Sequence, residues 1–432
     1  MKWIALIFGA LGTYPFGRWL RDRRDLHPGF ATLLAFLPFF NEIHVNLLSR
    51  ESYRGDARGI EVTLMDLLVL SLFVALPPSR QPAPYRALRM LYLAAVLLSA
   101  TQAESFLYAL FGVWKLLRMY LLVAVVARAC RDARIPPALL HGLTLGTIYQ
   151  FFQVVYQRYA LHMYQTPGVF PHQNTLGMAL NLVLPVCLAR VLAQPREWLS
   201  LAALGTGVAT LMMSLSRGAM ATFVVTSALM YLLSAARRLT LRKFVVALLG
   251  ILFVGLLLLK AADTIARRFE TAPEESALAR VEFNAAAERM LDASPLGVGI
   301  NQFSLALGSD PRGPGSGIVH NIYWLTAAEL GYFGFAAFVA LLLGPFLQAL
   351  RYGWRTRGDA RGDELLGFAV GLLAMYAQGW LEWAWRQTPL SYLFWLVVAL
   401  VGSTVRQLRA ERRSVLKSAS ALATVRAGFR EP

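Results

Sequence analysis

Apolar positions in this chain neither alternate nor keep to one helical stripe; for most of its length they run together. Mainly apolar stretches recur at 3–17, 29–47, 60–77, 88–104, 105–127, 136–158, 172–191, 198–214, 218–236, 244–262, 320–343, 364–383 and 389–405. Crossing a hydrocarbon layer about 30 Å thick takes roughly 17 to 25 such residues as a helix. Backbone groups in lipid must be satisfied inside each segment, so long apolar runs joined by short polar loops predict helices and not a barrel. The expectation is an all-α polytopic integral membrane protein with 12 or 13 transmembrane helices. The count depends on the first segment, which contains Gly9, Gly12, Pro15 and Gly17.

Composition agrees with the pattern. Hydrophobic residues make up 57% of the 432 positions and charged residues 16%, with a mean hydropathy of +0.50, more apolar surface than a soluble domain of this length buries. In a soluble protein the formal net charge of +17 would suggest nucleic acid. Its placement says otherwise, because the arginines collect in loops on alternate sides of successive spans: Arg18, Arg21, Arg23 and Arg24; Arg80, Arg86 and Arg89; Arg128, Arg131 and Arg134; Arg190 and Arg196; Arg237, Arg238 and Arg242; Arg351, Arg355, Arg357 and Arg361. The positive-inside rule makes these loops cytoplasmic, together with a basic tail over 406–432. Membrane lipids with anionic headgroups are the expected partners of this charge, and no nucleic acid is expected. The two cysteines, Cys130 and Cys187, fall near cytoplasmic span ends and indicate neither a disulfide nor a thiolate metal site.

This topology divides the chain into a helix bundle over 1–262, a long loop outside the cytoplasm over 263–319, three further spans over 320–405 and the tail. In the loop, "TIARRFETAPEESALARVEFNAAAERMLDASP" mixes charge with apolar residues at helical spacing and predicts two amphipathic helices broken near Pro273. Val281, Ala285, Ala286 and Met290 would face apolar surroundings, with Arg280 and Asn284 sharing another face. "PLGVGINQF" and "GSDPRGPGSG" follow, where Gly and Pro predict turns and a mobile segment. The shorter external loop 48–61, "LSRESYRGDARGIE", could shape an entrance.

Several polar residues stand at the outer membrane boundary. In the tight turn "SLSRGAM", Arg217 sits outside against the general bias of arginine, and Ser216 can cap the helix that follows. Helix-start amides beside a guanidinium form an anion site, although a snorkelling arginine that only anchors the helix fits the same turn. Lys115 and Arg118 share a helix face and could hold a ligand or pair with Asp66. His172 and Asn174 lie at the start of a span, where Asn174 suits either ligand contact or capping. Glu382 would balance Arg386 one turn later, and Trp380, Trp383 and Trp385 read as an interfacial belt or a surface for stacking sugars.

Three stretches in order, "SLSRGAM", "ARVEFNAAAERMLDASPLGVGINQF" and "HNIYWLTAAELGYFGF", resemble the successive motifs of the bacterial O-antigen ligase and polymerase family, over roughly residues 165–345. Many relatives have a tryptophan shortly after the loop arginine, where Phe283 is nearest here. The resemblance implies a membrane glycosyltransferase of the bacterial inner membrane, active on its periplasmic face, with Arg217, Arg280 and His320 as catalytic residues. The implied partners are an undecaprenyl-diphosphate-linked glycan as donor and lipid A-core as acceptor.

Elementary chemistry is consistent with those roles. Arginine is always charged and binds phosphate oxygens in pairs, which suits Arg217 and Arg280 to clamping a diphosphate. Histidine, with an ordinary pKa of about 6.5, takes a proton near neutrality, which suits His320 to acting as base on the acceptor hydroxyl. Asn321 and Tyr323 would be its orienting neighbours. Without a DxD motif, no metal or other cofactor is expected, and displacement at the anomeric carbon would invert it. A single dominant external loop leans towards a ligase over a polymerase, and the absence of a large external domain after the histidine span leans away from a protein O-oligosaccharyltransferase. A transporter of lipid-linked sugars would show repeated halves and midplane charges, which this sequence does not.

Overall fold

The computed structural model describes residues 2–40, 43–270, 274–310 and 317–428. Helices dominate it. In chain order they are α1 (Lys2–Asp22), α2 (His27–Phe36), α3 (Leu64–Ala75), α4 (Arg86–Ala100), α5 (Phe106–Ala129), α6 (Ile135–Val155), α7 (Gln173–Ala193), α8 (Trp198–Ser214), α9 (Arg217–Arg237), α10 (Leu241–Glu270), α11 (Glu274–Ala293), α12 (Phe303–Gly308), α13 (Ile322–Arg355), α14 (Ala360–Gln378) and α15 (Thr388–Gly428). Seven helical stretches among the described residues are long and apolar enough to cross a membrane: Phe106–Ala129, Ile135–Ala160, Gln173–Ala193, Arg217–Arg237, Leu241–Leu259, Ile322–Arg355 and Thr388–Ser414. His27–Phe39, Leu64–Ala75 and Trp198–Ser214 are apolar but shorter, so helix length alone does not define 12 or 13 full spans.

The expected span 29–47 is helical only in its first part. From Leu37 the helix tightens into a 3-10 turn that contains Pro38 and ends as Phe40 takes extended backbone at ψ 161°. Residues His44–Leu47 then form strand β1, paired antiparallel with β2 (Ile60–Thr63) in the register His44 to Thr63. The hairpin leads straight into α3 through a capping box: Asp66 N–H donates to Thr63 Oγ1 at 3.2 Å, and Thr63 N–H donates to the Asp66 carboxylate at 2.9 Å.

Helix α7 lies at the centre, packed along α14, α8 and α9 and buried for nearly its whole length. Small residues allow the close approach: a Cβ at Gly371 would lie 2.3 Å from Leu182 O, and one at Gly367 would lie 2.6 Å from the Val186 backbone. Helix α10 is the opposite case, with most of its apolar side chains facing outward (Ile251, Leu256 and Leu259 among them).

The long loop departs from expectation in three ways. Its first amphipathic helix is not separate, because α10 runs on without a break to Glu270; the break expected near Pro273 lies outside the described residues. In α11, Ala286, Ala287, Met290 and Leu291 are the buried face and Val281 is exposed. Of the two glycine-rich stretches expected to form turns and a mobile segment, 295–303 is instead pinned to α13, while residues 311–316 of the second lie outside the described residues. That helix is broken at Gly331 (φ 67°, ψ −174°), which frees carbonyls that helical amides would otherwise occupy. Val298 N–H donates to Ala328 O at 2.9 Å, Gly299 N–H to Glu329 O at 3.0 Å, and Tyr332 N–H to Pro295 O at 3.0 Å. Gly297 (φ 85°) makes the contact possible, since a Cβ there would sit 2.3 Å from Glu329 O. Asn301 and Gln302 follow, both buried. Asn301 Nδ2 donates to the carbonyls of Ala57 and Tyr108 at 2.8 Å each, and the Gln302 amide bonds the backbone of Ser105. Loop 48–61 is drawn inward by the same stretch, with Tyr53 buried and stacked on Tyr108 at 3.9 Å.

Candidate functional site

His320 stands just before α13, whose N-cap is Asn321: Asn321 Oδ1 accepts from the amides of Tyr323 and Trp324 at 3.0 and 3.2 Å. Ile322 N–H donates to Gly379 O at 2.9 Å and ties the start of α13 to the turn that leaves α14. This places the 379–383 turn beside the histidine. His320 Nδ1 lies 3.3 Å from Glu382 Oε2, while the imidazole is 44% exposed and the carboxylate only 7%.

Glu382 is the hub of the cluster. Asn174 Nδ2 donates to its Oε1 at 2.5 Å, and the Arg280 guanidinium lies 3.7 Å from the same oxygen. Ser216 Oγ donates to Asn174 Oδ1 at 2.7 Å. The chain of contacts therefore runs from Arg280 and His320, through Glu382 and Asn174, to the residue next to Arg217, the first residue of α9. Ser216 spends its hydroxyl on this link and does not cap α9 with its side chain, contrary to expectation. The cap of α7 is His172, whose Nδ1 accepts from Asn174 N–H at 3.3 Å, so the Asn174 side chain remains available to Glu382. One layer deeper, Asn181 Nδ2 joins α7 to Ala219 O of α9 at 2.9 Å and to Gln378 of α14 at 3.0 Å, which holds the three helices in register.

Three of the sequence candidates, His320, Arg280 and Asn174, thus come together, with His172 close by and Arg217 next in the chain to Ser216. Four others do not join them. Asn321 serves its own helix, and Tyr323 donates to Tyr376 O at 2.7 Å. Arg118 pairs with Asp66 at 2.7 Å and also with Glu61, and it donates to Tyr392 at 3.2 Å, which is the structural bridge considered for it. Lys115 donates to the carbonyls of Asp56, at 3.2 Å, and of Arg386.

Glu382 is the residue that sequence reasoning misplaced. Its supposed partner Arg386 binds Glu329 at 2.9 Å and Asp56 at 3.4 Å. The i, i+4 argument failed because residues 379–383 form turns and not an α-helix. The available signal was the position of Glu382 just past the end of an expected span, at the same end of the bundle as His320. The tryptophans also divide. Trp385 is core, stacked on Phe394 at 5.2 Å, whereas Trp380 is exposed and rests on Tyr323.

Among the described residues, no group of three or more His, Cys, Asp or Glu is placed to hold a metal ion. The described positive charge at the cluster comes from arginine, in a fork geometry suited to oxyanions.

These observations define an all-α protein with several helices long and apolar enough to span a membrane, and a histidine–carboxylate–arginine cluster formed near the ends of α7, α9, α13 and α14 with Arg280 reaching in from α11. Residues 201–339 match the family model described as O-antigen ligase, so the resemblance carried by the three motifs holds. The match points to a glycosyltransferase of ligase or polymerase type, a family whose substrates are in general lipid-linked glycans and lipid A-core. Arg217, Arg280 and His320 all fall inside the matched residues. No curated protein matches the chain.

Proposed function

We propose that this protein is an O-antigen ligase of the bacterial inner membrane. On this reading it transfers a glycan in one piece from undecaprenyl diphosphate to a sugar hydroxyl of lipid A-core at the periplasmic face. The observation that carries the proposal is the convergence of His320 and Arg280 on one buried carboxylate, linked through Asn174 and Ser216 to the Arg217 turn.

The acceptor oxygen attacks the anomeric carbon as the bond from that carbon to the diphosphate oxygen breaks, and undecaprenyl diphosphate leaves with the electron pair. Arg217 and Arg280 hold the diphosphate and meet its growing charge, the part a divalent ion plays in other transferases. His320 takes the acceptor proton. With Nδ1–H donated to Glu382, its Nε2 carries the lone pair, and the carboxylate stabilises the imidazolium that forms. One displacement inverts the anomeric carbon.

An apolar groove of about 800 Å³ supports the donor assignment. It lies between α6, α8 and α10, is lined by Trp198, Leu201, Met212, Leu215, Phe253 and Leu257, and reaches Leu215, two residues before Arg217. A polyprenyl chain laid there would present its diphosphate to the arginine turn. The short 379–387 connection leaves no external domain after the histidine span for a protein acceptor, which favours lipid A-core.

Reconstitution of the full chain with an undecaprenyl-diphosphate glycan and three separate acceptors tests the assignment. Transfer to lipid A-core is the expected result. Transfer only to a second lipid-linked glycan makes the protein a polymerase, and transfer only to a pilin-like protein makes it a protein O-oligosaccharyltransferase.

A further inference from the structure

A second polar region lies apart from the His320 cluster, between loop 54–59, the outer half of α5 and the turn at 383–388. It encloses a cavity of about 210 Å³ bordered by Asn46, Asp56, Trp114, Lys115, Arg118 and Trp383. That is more than ten times the roughly 10–15 Å³ that admits one water. Its walls combine two indole rings with charges of both signs.

The charges are mostly paired with one another. Asp56 Oδ2 faces Arg386 at 3.4 Å and Lys115 at 3.8 Å, and Arg118 holds Asp66 and Glu61. Two atoms are left over. Asp56, whose side chain is 1% exposed, has an Oδ1 with no hydrogen-bond partner among the described residues, and so does Arg118 Nε. Buried polar atoms without partners are costly and call for a reason. Both atoms are closed off from the cavity itself, so the polar side chains that a ligand can reach there belong to the rest of its lining, Asn46 and Arg58 among them. An anion would meet Asp56 and Glu61, and a cation would meet Lys115 and Arg118. A neutral ring bearing hydroxyls can bond Asn46 and lay its apolar face on an indole.

We infer that this cavity is a saccharide subsite, in which Trp114 and Trp383 stack a sugar ring and Asn46 bonds its hydroxyls. Trp383 follows Glu382 directly, and consecutive Cα atoms are about 3.8 Å apart. A sugar held against Trp383 is therefore attached to the same turn that carries the carboxylate facing His320. The inference rests on the glycosyl-transfer reading for its ligand class. The sugar can belong to the donor glycan or to the acceptor core.

Asn46 allows the cavity to be filled without touching an ion pair. It sits on β1 opposite Glu61, and Asn46→Phe should occupy the space while keeping strand propensity. The full chain in nanodiscs is tested by saturation-transfer NMR with free O-antigen repeat and, separately, with core oligosaccharide released from lipid A. Transfer kinetics are measured in parallel. The expected result is that one saccharide binds wild type and the His320→Ala variant alike, and that Asn46→Phe abolishes this signal. In transfer, Asn46→Phe should raise KM for the matching substrate about tenfold or more with kcat little changed. A raised donor KM assigns the sugar to the donor, and a raised acceptor KM assigns it to the acceptor. If neither saccharide binds, or neither KM moves in Asn46→Phe, the subsite is overturned. Saccharide binding without transfer to any acceptor would overturn the ligase reading and leave the subsite standing.

Discussion

His320 and Glu382 face each other at 3.3 Å, Nδ1 to Oε2, from positions 62 residues apart. The exposed imidazole is held by a buried carboxylate, which itself is held by Asn174 and Arg280. Proton transfer by a positioned side chain is worth about a hundred- to ten-thousandfold in rate. His320→Ala should therefore lose transfer by at least that lower margin while the protein still elutes as a folded species in detergent. Glu382→Gln should lose about ten- to hundredfold, the equivalent of a charged hydrogen bond of roughly 1.5–3 kcal/mol. Near-normal turnover in the histidine variant would remove the general-base assignment, whatever Glu382→Gln does.

Arg217→Lys and Arg280→Lys keep the charge and lose the fork. Each should raise the donor KM and lower kcat/KM about tenfold or more, because bidentate binding of phosphate is the property removed. Steady-state transfer with donor varied at fixed acceptor measures this. Unchanged donor use by both lysine variants would count against the diphosphate clamp.

Gly331 and Gly297 meet back to back where the 294–303 segment enters α13. A Cβ at Gly331 would fall 2.2 Å from Pro295 O, at a backbone conformation (φ 67°, ψ −174°) that side chains rarely adopt. Gly331→Ala should cost of order 1–3 kcal/mol from the backbone alone, with the clash in addition. The readout is the thermal midpoint in detergent. Gly255→Ala on α10, where a Cβ meets nothing within 4 Å, is the control and should be neutral or stabilising. Equal stability of the Gly331 and Gly255 variants would mean that the docked loop does not constrain the helix break.

Glu197, in the connection between α7 and α8, accepts from Arg190 at 2.8 and 2.9 Å. Burial acts to raise its pKa, but the Arg190 hydrogen bonds and charge outweigh it, and the carboxyl is held below its usual 4.5. A depressed folded-state pKa contributes stability that is complete above the unfolded value and is lost as pH falls through the folded one. Wild type should therefore lose thermal stability relative to Glu197→Gln as pH drops below about 4.5, and the gap between the two should be constant above about pH 6, well clear of an ordinary glutamate pKa. A gap that widens instead with rising pH above 6 would contradict the pairing.

What the sequence determined by itself was local. Unbroken apolar runs must satisfy their own amides in lipid, so helices at nearly all the expected places follow from composition alone. The His-Asn signature, the serine-arginine turn and the loop arginine were legible as motifs, and the family match contains all three. Tertiary structure decided the pairings. Residues 44–47 became a strand because 60–63 lay alongside to pair with it. The 294–303 segment became fixed because the break at Gly331 offered carbonyls to its amides. Trp385 went to the core, Arg386 to Glu329 and Asp56, and Glu382 to His320. Periodicity reports which residues share one element, whereas the partner of a buried charge is whichever group other elements bring within a few ångströms, and that depends on how helices far apart in sequence pack together.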